Sequence, residues 1–268
     1  MWVITMNKLE QIQYIEDNFP LTTRHTSKRR TRHDFFTKIN TEVQAYLLGF
    51  YAADGGLNEK RKTFRIHLNK NDSEIIYLYK DLICPDARVF TREETDMRGV
   101  RDSKSIHCNG TFGVDINSTV LCNALVNLGF GYNKTYTENH LPQIDKSLLR
   151  HFIRGYFDGD GSISGWYIPP DIKYKKNERF RMHASICCKT ATLLEDIKNL
   201  FAEYNIKSKI FISRRDDMYI LSIPSSQIKK LFDLLYQDSN FYLSRKYKKF
   251  NYYANTEVSQ LIAEHRNA

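Results

Sequence analysis

Two short stretches of this chain are copies of one another. YLLGFYAADGG begins at Tyr46 and FIRGYFDGDGS at Phe152, and Gly49, Asp54 and Gly55 of the first match Gly155, Asp160 and Gly161 of the second at a constant offset. No other feature constrains the fold as strongly. Each copy is a short, apolar segment of helical character that must be buried, and each ends in Asp-Gly. Gly49 and Ala53 share one helical face, as do Gly155 and Gly159. Small residues at that spacing let two backbones approach closely. A glycine in a helix interior costs about 1 kcal/mol, so glycines at these places need a packing reason. Pairing of the two helices by a pseudo-two-fold axis supplies it, and it brings Asp54 and Asp160 side by side. Carboxylates are disfavoured at a helix C-terminus, where unpaired carbonyls already concentrate negative charge. Divalent cations between them would resolve the conflict, because carboxylates and carbonyls are the hard oxygen ligands that Mg²⁺ takes. Gly55 and Gly161 suit the left-handed position that commonly ends a helix. A single Asp-Gly would read as an ordinary helix stop; two copies in a duplicated frame do not.

The duplication extends beyond the motif. FRIH (Phe64 to His67) recurs as FRMH (Phe180 to His183). Both alternate with period two. Phe64, Ile66 and Leu68 form one apolar face, and Phe180, Met182, Ala184 and Ile186 the other. The opposite faces carry Arg65, His67 and Asn69 in one strand, and Arg179, Arg181 and His183 in its repeat. A helical pattern follows each strand, from Asp72 and from Thr190. Two further strands follow in each half: ARVFTRE and SIHCNGTFGVDIN, then KSKIFISR and MYILSIP. Each half closes in a helix opened by a serine cap, at Ser118 and Ser225. The fold class expected is α+β, two pseudo-symmetric αββαββα halves with antiparallel sheets. The halves span 43–130 and 145–237, joined by a polar linker over 131–144. A basic N-terminal arm (1–42) holds RHTSKRRTR, with five Lys/Arg between Arg24 and Arg32, and a basic tail (238–268) holds SRKYKKF. TREETDMRGVRDSKS (91–105) and PPDIKYKKNER (169–179) read as charged loops.

Charge narrows the partner. Forty Lys and Arg stand against 31 acids in 268 residues, a net charge of +9 with pI near 9.2. A basic globular chain of this kind meets a polyanion, most often nucleic acid. The five cysteines are scattered, with no C-x-x-C pair, so a structural zinc site is not indicated and a reduced, intracellular setting is expected. No signal peptide or membrane span is expected. DGDGS begins like a calcium-binding loop, but Ile163 stands where that loop needs glycine and Pro169 where it needs glutamate.

LLGFYAADG (Leu47 to Gly55) and IRGYFDGDG (Ile153 to Gly161) resemble the nine-residue LAGLIDADG motif of homing endonucleases. NKTYTENHLPQI followed by LLRHFIRGYFDGDGSI is similar to the block before the second motif in phage, intron-encoded and intein-derived members. The resemblance covers roughly 43–250. It implies a monomer with internal pseudo-two-fold symmetry whose saddle of sheets sits in the DNA major groove. It implies a site-specific endonuclease that makes a Mg²⁺-dependent (or Mn²⁺-dependent) double-strand break with short 3′ overhangs at a long asymmetric target, with intron homing as the setting. By this resemblance Asp54 and Asp160 are the catalytic, metal-binding aspartates, and Ala53 and Gly159 lend backbone carbonyls to metal. Lys134 and Lys246 are the supporting basic residues of the catalytic centre, with Lys70 and Lys189 as rivals. Arg65, His67, Asn69, Arg179, Arg181 and His183 would read DNA, with Arg65 and Arg181 in matching places, and Lys28, Arg29 and Arg30 would contact phosphate. The motif departs from the family at Ala52 beside Asp158, and at the bulky second positions Leu48 and Arg154. The alternative is a non-cleaving nucleic-acid binder on the same fold, an RNA maturase or transcription regulator. A sugar hydrolase using paired carboxylates finds no support in a basic, duplicated frame.

Overall fold

The computed structural model describes residues 6–24, 27–93, 95–98, 105–108, 110–137, 139–171, 173–213 and 217–266. Ahead of the first motif lie helix α1 (Lys8–Asn18) and a hairpin of β1 (Thr22–Arg24) and β2 (Ser27–Thr31). The first half runs α2 (Glu42–Asp54), β3 (Gly55–Asn58), β4 (Thr63–Asn69), α3 (Ser73–Ile83), β5 (Val89–Arg92), β6 (Thr95–Arg98), β7 (Ser105–Cys108), β8 (Thr111–Asn117) and α4 (Thr119–Asn127). The second runs α5 (Lys146–Asp160), β9 (Gly161–Ile168), β10 (Arg179–Cys188), α6 (Thr192–Glu203), β11 (Lys209–Ser213), β12 (Met218–Pro224) and α7 (Ile228–Tyr236). Helices α8 (Ser244–Asn255) and α9 (Val258–His265) follow. The sheets are antiparallel, in the order β3-β4-β8-β5 and β9-β10-β12-β11. This is the expected α+β fold of two αββαββα halves sharing a saddle of sheets. Among the described residues no helix is long and apolar enough to cross a membrane.

The two motif helices form the centre. In α2 every residue from Glu42 to Ala52 is buried, as a helix without a polar face must be. Its contact with α5 depends on glycine. A Cβ on Gly49 would stand 1.9 Å from the Phe152 carbonyl oxygen, and one on Gly155 2.0 Å from that of Tyr46. These reciprocal contacts are a pseudo-two-fold axis written in backbone atoms. Helices pack on one face of each sheet. There Phe64, Ile66, Ile75, Ile76 and Val114 of the first half, and Ala184, Ile186, Leu194, Ile197 and Leu221 of the second, are wholly or almost wholly buried. The other face of each sheet is open.

Several local expectations change. Gly55 and Gly161 are not left-handed; their φ values are −77° and −82°, in extended backbone. They are glycines because a Cβ would strike the ring of Tyr51 at 2.0 Å or of Phe157 at 2.4 Å. Ser118 caps α4 through its Oγ, which accepts from Leu121 N at 3.1 Å. Ser225 does not cap α7: it opens a 3₁₀ turn (Ser225–Gln227) and exchanges hydrogen bonds with Met182 N and O. The segment expected as a charged loop over 91–105 includes strand β6, which pairs with β7; residues 94 and 99–104 lie outside the described residues. In the 169–179 loop, Asp171 and Lys176 form an antiparallel bridge.

The arm and tail are folded rather than trailing. Ile15, Phe19, Phe35 and Phe36 from before α2, and Phe250, Tyr253 and Leu261 from α8 and α9, belong to the core.

The largest departure is register. Gly55 at the end of the first motif pairs with Ile66, whereas Gly161 at the end of the second pairs with Ile186. Counted from the helix ends, Arg65 therefore corresponds to Ser185, not to Arg181. FRMH lies four residues further out along its strand than FRIH, because the β9–β10 hairpin is the longer. The likeness of the two tetrapeptides misaligned the halves.

Candidate active site

Helices α2 and α5 end together, and their last residues are Asp54 and Asp160. A Cβ on Gly159 would stand 2.4 Å from Ala53 Cβ and 2.8 Å from Asp54 Oδ2, so glycine lets the first carboxylate reach the end of the second helix. Both aspartates are exposed on one side and packed on the other. Desolvation raises the Asp54 carboxyl to about 6, reinforced by repulsion from Asp160 and opposed by Lys134 and Lys246. Asp160 is also raised, again mainly by desolvation against the pull of both lysines. Among the described residues neither carboxylate has a hydrogen-bond partner.

Lys134 and Lys246 occupy equivalent places. Lys134 Nζ donates to the carbonyls of Ala52 at 2.7 Å and Ala53 at 2.9 Å. Lys246 Nζ donates to Phe157 at 2.8 Å, Gly159 at 3.0 Å and Gly161 at 2.5 Å. Each lysine thus neutralises the negative end of one motif helix. Each also lies over a motif aromatic ring, Tyr51 or Phe157. Burial lowers the pKa of both, that of Lys246 to about 8. The lysines reach these places on crossing segments. Beyond Lys134, Leu141 N donates to Asp196 and the Asn139 carbonyl accepts from Thr192, both on α6. Beside Lys246, Arg245 makes a two-pronged pair with Asp72, and Ser244 bonds Glu74. The segment after each half is tied to the other half. Lys70 is exposed on the 3₁₀ turn after β4. Lys189 donates to Asp217 O and joins Asp160, Lys134 and Tyr156 around a cavity of about 70 Å³.

Arg154, which departs from the motif, and Asp158, which keeps it, lie in one buried polar network joined through Tyr46. Arg154 is completely buried. It donates to Glu42 Oε1 at 2.6 Å, to the carbonyls of Leu235 and Phe241 at 2.8 Å, and to His151 Nδ1 at 2.7 Å. Burial and Arg154 push His151 far below its usual pKa, so it accepts that bond as a neutral ring. Asp158 accepts from Tyr46 and Tyr236 hydroxyls at 2.9 and 2.6 Å and from Leu243 N at 2.7 Å. Arg154 thus leaves the helix contact intact and links it to the chain before α8. Nothing in the motif announced Glu42 or Tyr236 as partners.

On the open face of the first sheet, Arg65 Nε lies 3.6 Å from Asp115 Oδ2 and His67 Nε2 2.8 Å from Asp115 Oδ1. Asn69 is exposed, its side chain accepting from Asn71 N. On the second sheet Arg179 and His183 are half-buried and Arg181 exposed; His183 Nε2 is 2.7 Å from Ser222 Oγ. Asp115 was missed, although GVDIN alternates and places it on the same face as Arg65. In the arm, Lys28 and Arg29 are exposed, but Arg30 pairs with Asp86 through Nε and NH2 at 2.9 and 2.8 Å, which weakens its expected role at phosphate.

Residues 147–235 match the family model described as a LAGLIDADG-like domain. The fold is shared with meganuclease I-SmaMI bound to uncleaveable DNA, 13% identical, with a TM-score of 0.53, covering 85% of this chain and 96% of that one. It is shared with LAGLIDADG meganuclease I-AabMI bound to uncleaved DNA, 13% identical, TM-score 0.51, over 83% and 91%. Another I-SmaMI structure, on its uncleaved target in the presence of calcium ions, gives 14% and 0.51, over 83% and 92%. Two proteins of Methanocaldococcus jannaschii also align. DNA-directed RNA polymerase subunit Rpo1C is 24% identical over 204 residues, 75% of this chain and 20% of that protein. Replication factor C small subunit is 26% identical over 235 residues, 83% and 12%. The chain spans a fifth or less of the length of these two relatives.

Proposed function

We infer, for a chain that is a two-motif member of the LAGLIDADG family, a site-specific DNA endonuclease acting as a monomer on both strands of a long asymmetric target and leaving short 3′ overhangs. The observation that carries this reading is the doubled acid–lysine arrangement at the converged helix ends. Two exposed carboxylates with no hydrogen-bond partner among the described residues, each beside a buried lysine, have no structural purpose of their own. The donor set fits a hard divalent cation such as Mg²⁺ or Mn²⁺: Asp54 and Asp160 with the carbonyls of Ala53 and Gly159, the remaining positions left to water and to substrate phosphate oxygens. When bound, such an ion would neutralise charge on the phosphate and leaving oxygen and acidify water.

The chain's own residues do the rest. Lys134 and Lys246 hold the helix ends in place and set fixed positive charge where a phosphorane would form, so no reorganisation is needed at the moment of reaction. The α2–α5 contact fixes the spacing of the two sites. The open sheet faces, with Arg65, His67, Asn69, Arg179, Arg181 and His183, contact base edges and phosphates, and Lys28 and Arg29 contact backbone.

The test is plasmid cleavage with Mg²⁺ or Mn²⁺ by the native chain and by Asp54→Asn and Asp160→Asn, beside DNA-binding measurements. The reading expects loss of double-strand cleavage with binding nearly intact. A single variant cutting both strands at the native rate would sink the assignment. Specific binding by a native chain that never nicks DNA would favour the non-cleaving binder.

A further inference from the structure

The corrected register makes the two DNA-facing surfaces chemically unlike where the halves are structurally equivalent. Beside the helix end, the first sheet presents Arg65, Asp115 and His67; the matching positions of the second sheet hold Ser185, Ser222 and Cys187. The first sheet's cluster is built, not incidental. Gly113, opposite His67, leaves no room for a side chain: a Cβ there would stand 2.7 Å from the His67 ring and 2.9 Å from Phe90. Over that glycine the His67 and Phe90 rings meet edge-on, 4.7 Å between centroids. His67 in turn holds Asp115 at 2.8 Å. Arg65 Nε is buried 3.6 Å from Asp115 Oδ2, while 38% of the Arg65 side chain is exposed, so the exposed part of the fork is what a base can meet.

A carboxylate on a surface that meets phosphates is repelled by them. It is tolerated when neighbouring cations neutralise it and when a base can use it. Arginine matches the O6/N7 edge of guanine, and aspartate accepts from the cytosine N4 amine. We propose that Arg65, Asp115 and His67 form a base-reading unit that selects a G·C pair in the inner part of the half-site under the first sheet. The equivalent inner positions of the second sheet, being hydroxyls and a thiol, discriminate little. There the charged reader is Arg181, four residues further out on β10 and opposite Trp166. Four residues of strand span about 13 Å, or roughly four base pairs at a rise of about 3.4 Å. The target is thus read close to the cut on one side and far from it on the other. This rests on the DNA-binding reading above.

The experiment is an equilibrium binding profile over every single-base substitution of a selected target, in an Asp160→Asn background that prevents cutting. Arg65→Ala and Asp115→Asn should each flatten preference at the same one or two inner base pairs of one half-site, by roughly tenfold or more. Arg65→Lys, which keeps charge and folding but not the fork, should flatten the same position. Ser185→Ala should change no position by more than about twofold. Arg181→Ala should act on the other half-site, roughly four base pairs further from the centre. If Asp115→Asn instead tightens every sequence alike, the carboxylate is only a charge and the proposal fails while DNA binding stands. If the parent shows no base preference at all, both fall.

Discussion

At the scale of single residues the molecule separates sterics from chemistry. Gly49 and Gly155 exist to be small. Gly155→Ala should lower stability by about 3 kcal/mol, the upper end for overpacking, read as a fall in urea midpoint. Gly56→Ala, where an added methyl meets nothing within 4 Å, should leave the midpoint nearly unchanged. Asp54 carries the opposite kind of cost. Its folded carboxyl is raised to about 6 from about 3.9 in an unfolded chain. Its favourable contribution is therefore complete below about pH 4 and lost as the pH rises through about 6. In EDTA, Asp54→Asn should melt above the native chain at pH 8, and the difference should close near pH 4. An unchanged gap across that range would show that the carboxylate is not strained.

At the scale of elements, a central pair of motif helices could be read directly from sequence, because a mostly apolar segment with small residues on one face, present twice, has few other uses. The strand periodicity also held: Phe64, Ile66 and Leu68 point inward and Arg65 and His67 outward. What sequence did not carry was register. FRIH and FRMH are alike as strings, but pairing is set by hairpin length, and the second hairpin is longer. The partners of Arg154 were equally hidden, since Glu42 and the Leu235 and Phe241 carbonyls come from three separate segments. That network predicts an energetic pattern. Arg154→Leu alone should destabilise by about 3–5 kcal/mol, because it removes the only cation bonded to the buried Glu42 among the described residues and leaves it neutral donors from Gln11, Asn240 and Phe241, whereas adding Glu42→Gln should recover part of the loss. Chemical denaturation of the two variants checks it. Ser118→Ala should cost α4 about 1 kcal/mol; Ser225, which caps nothing, acts through Met182 instead.

At the scale of the whole molecule, two motifs in one chain complete the helix pair internally, so light scattering of the DNA complex should find one chain per duplex. Two chains per duplex would contradict it. On the proposed chemistry each lysine serves one helix end, so Lys134→Ala and Lys246→Ala should each accumulate nicked plasmid, cut in opposite strands. Full linearisation at native rate by either would remove that lysine from the reaction. The crossing segments that deliver those lysines have a consequence of their own. The ammonium beside α2 is anchored through α6, and the one beside α5 through Asp72 and Glu74 at the start of α3. Neither centre is whole unless both halves are docked. On the proposed chemistry this is a lock whose two keys are cut from each other's metal: a half severed from its partner would carry an acid without its ammonium, so neither could work as a separate blade.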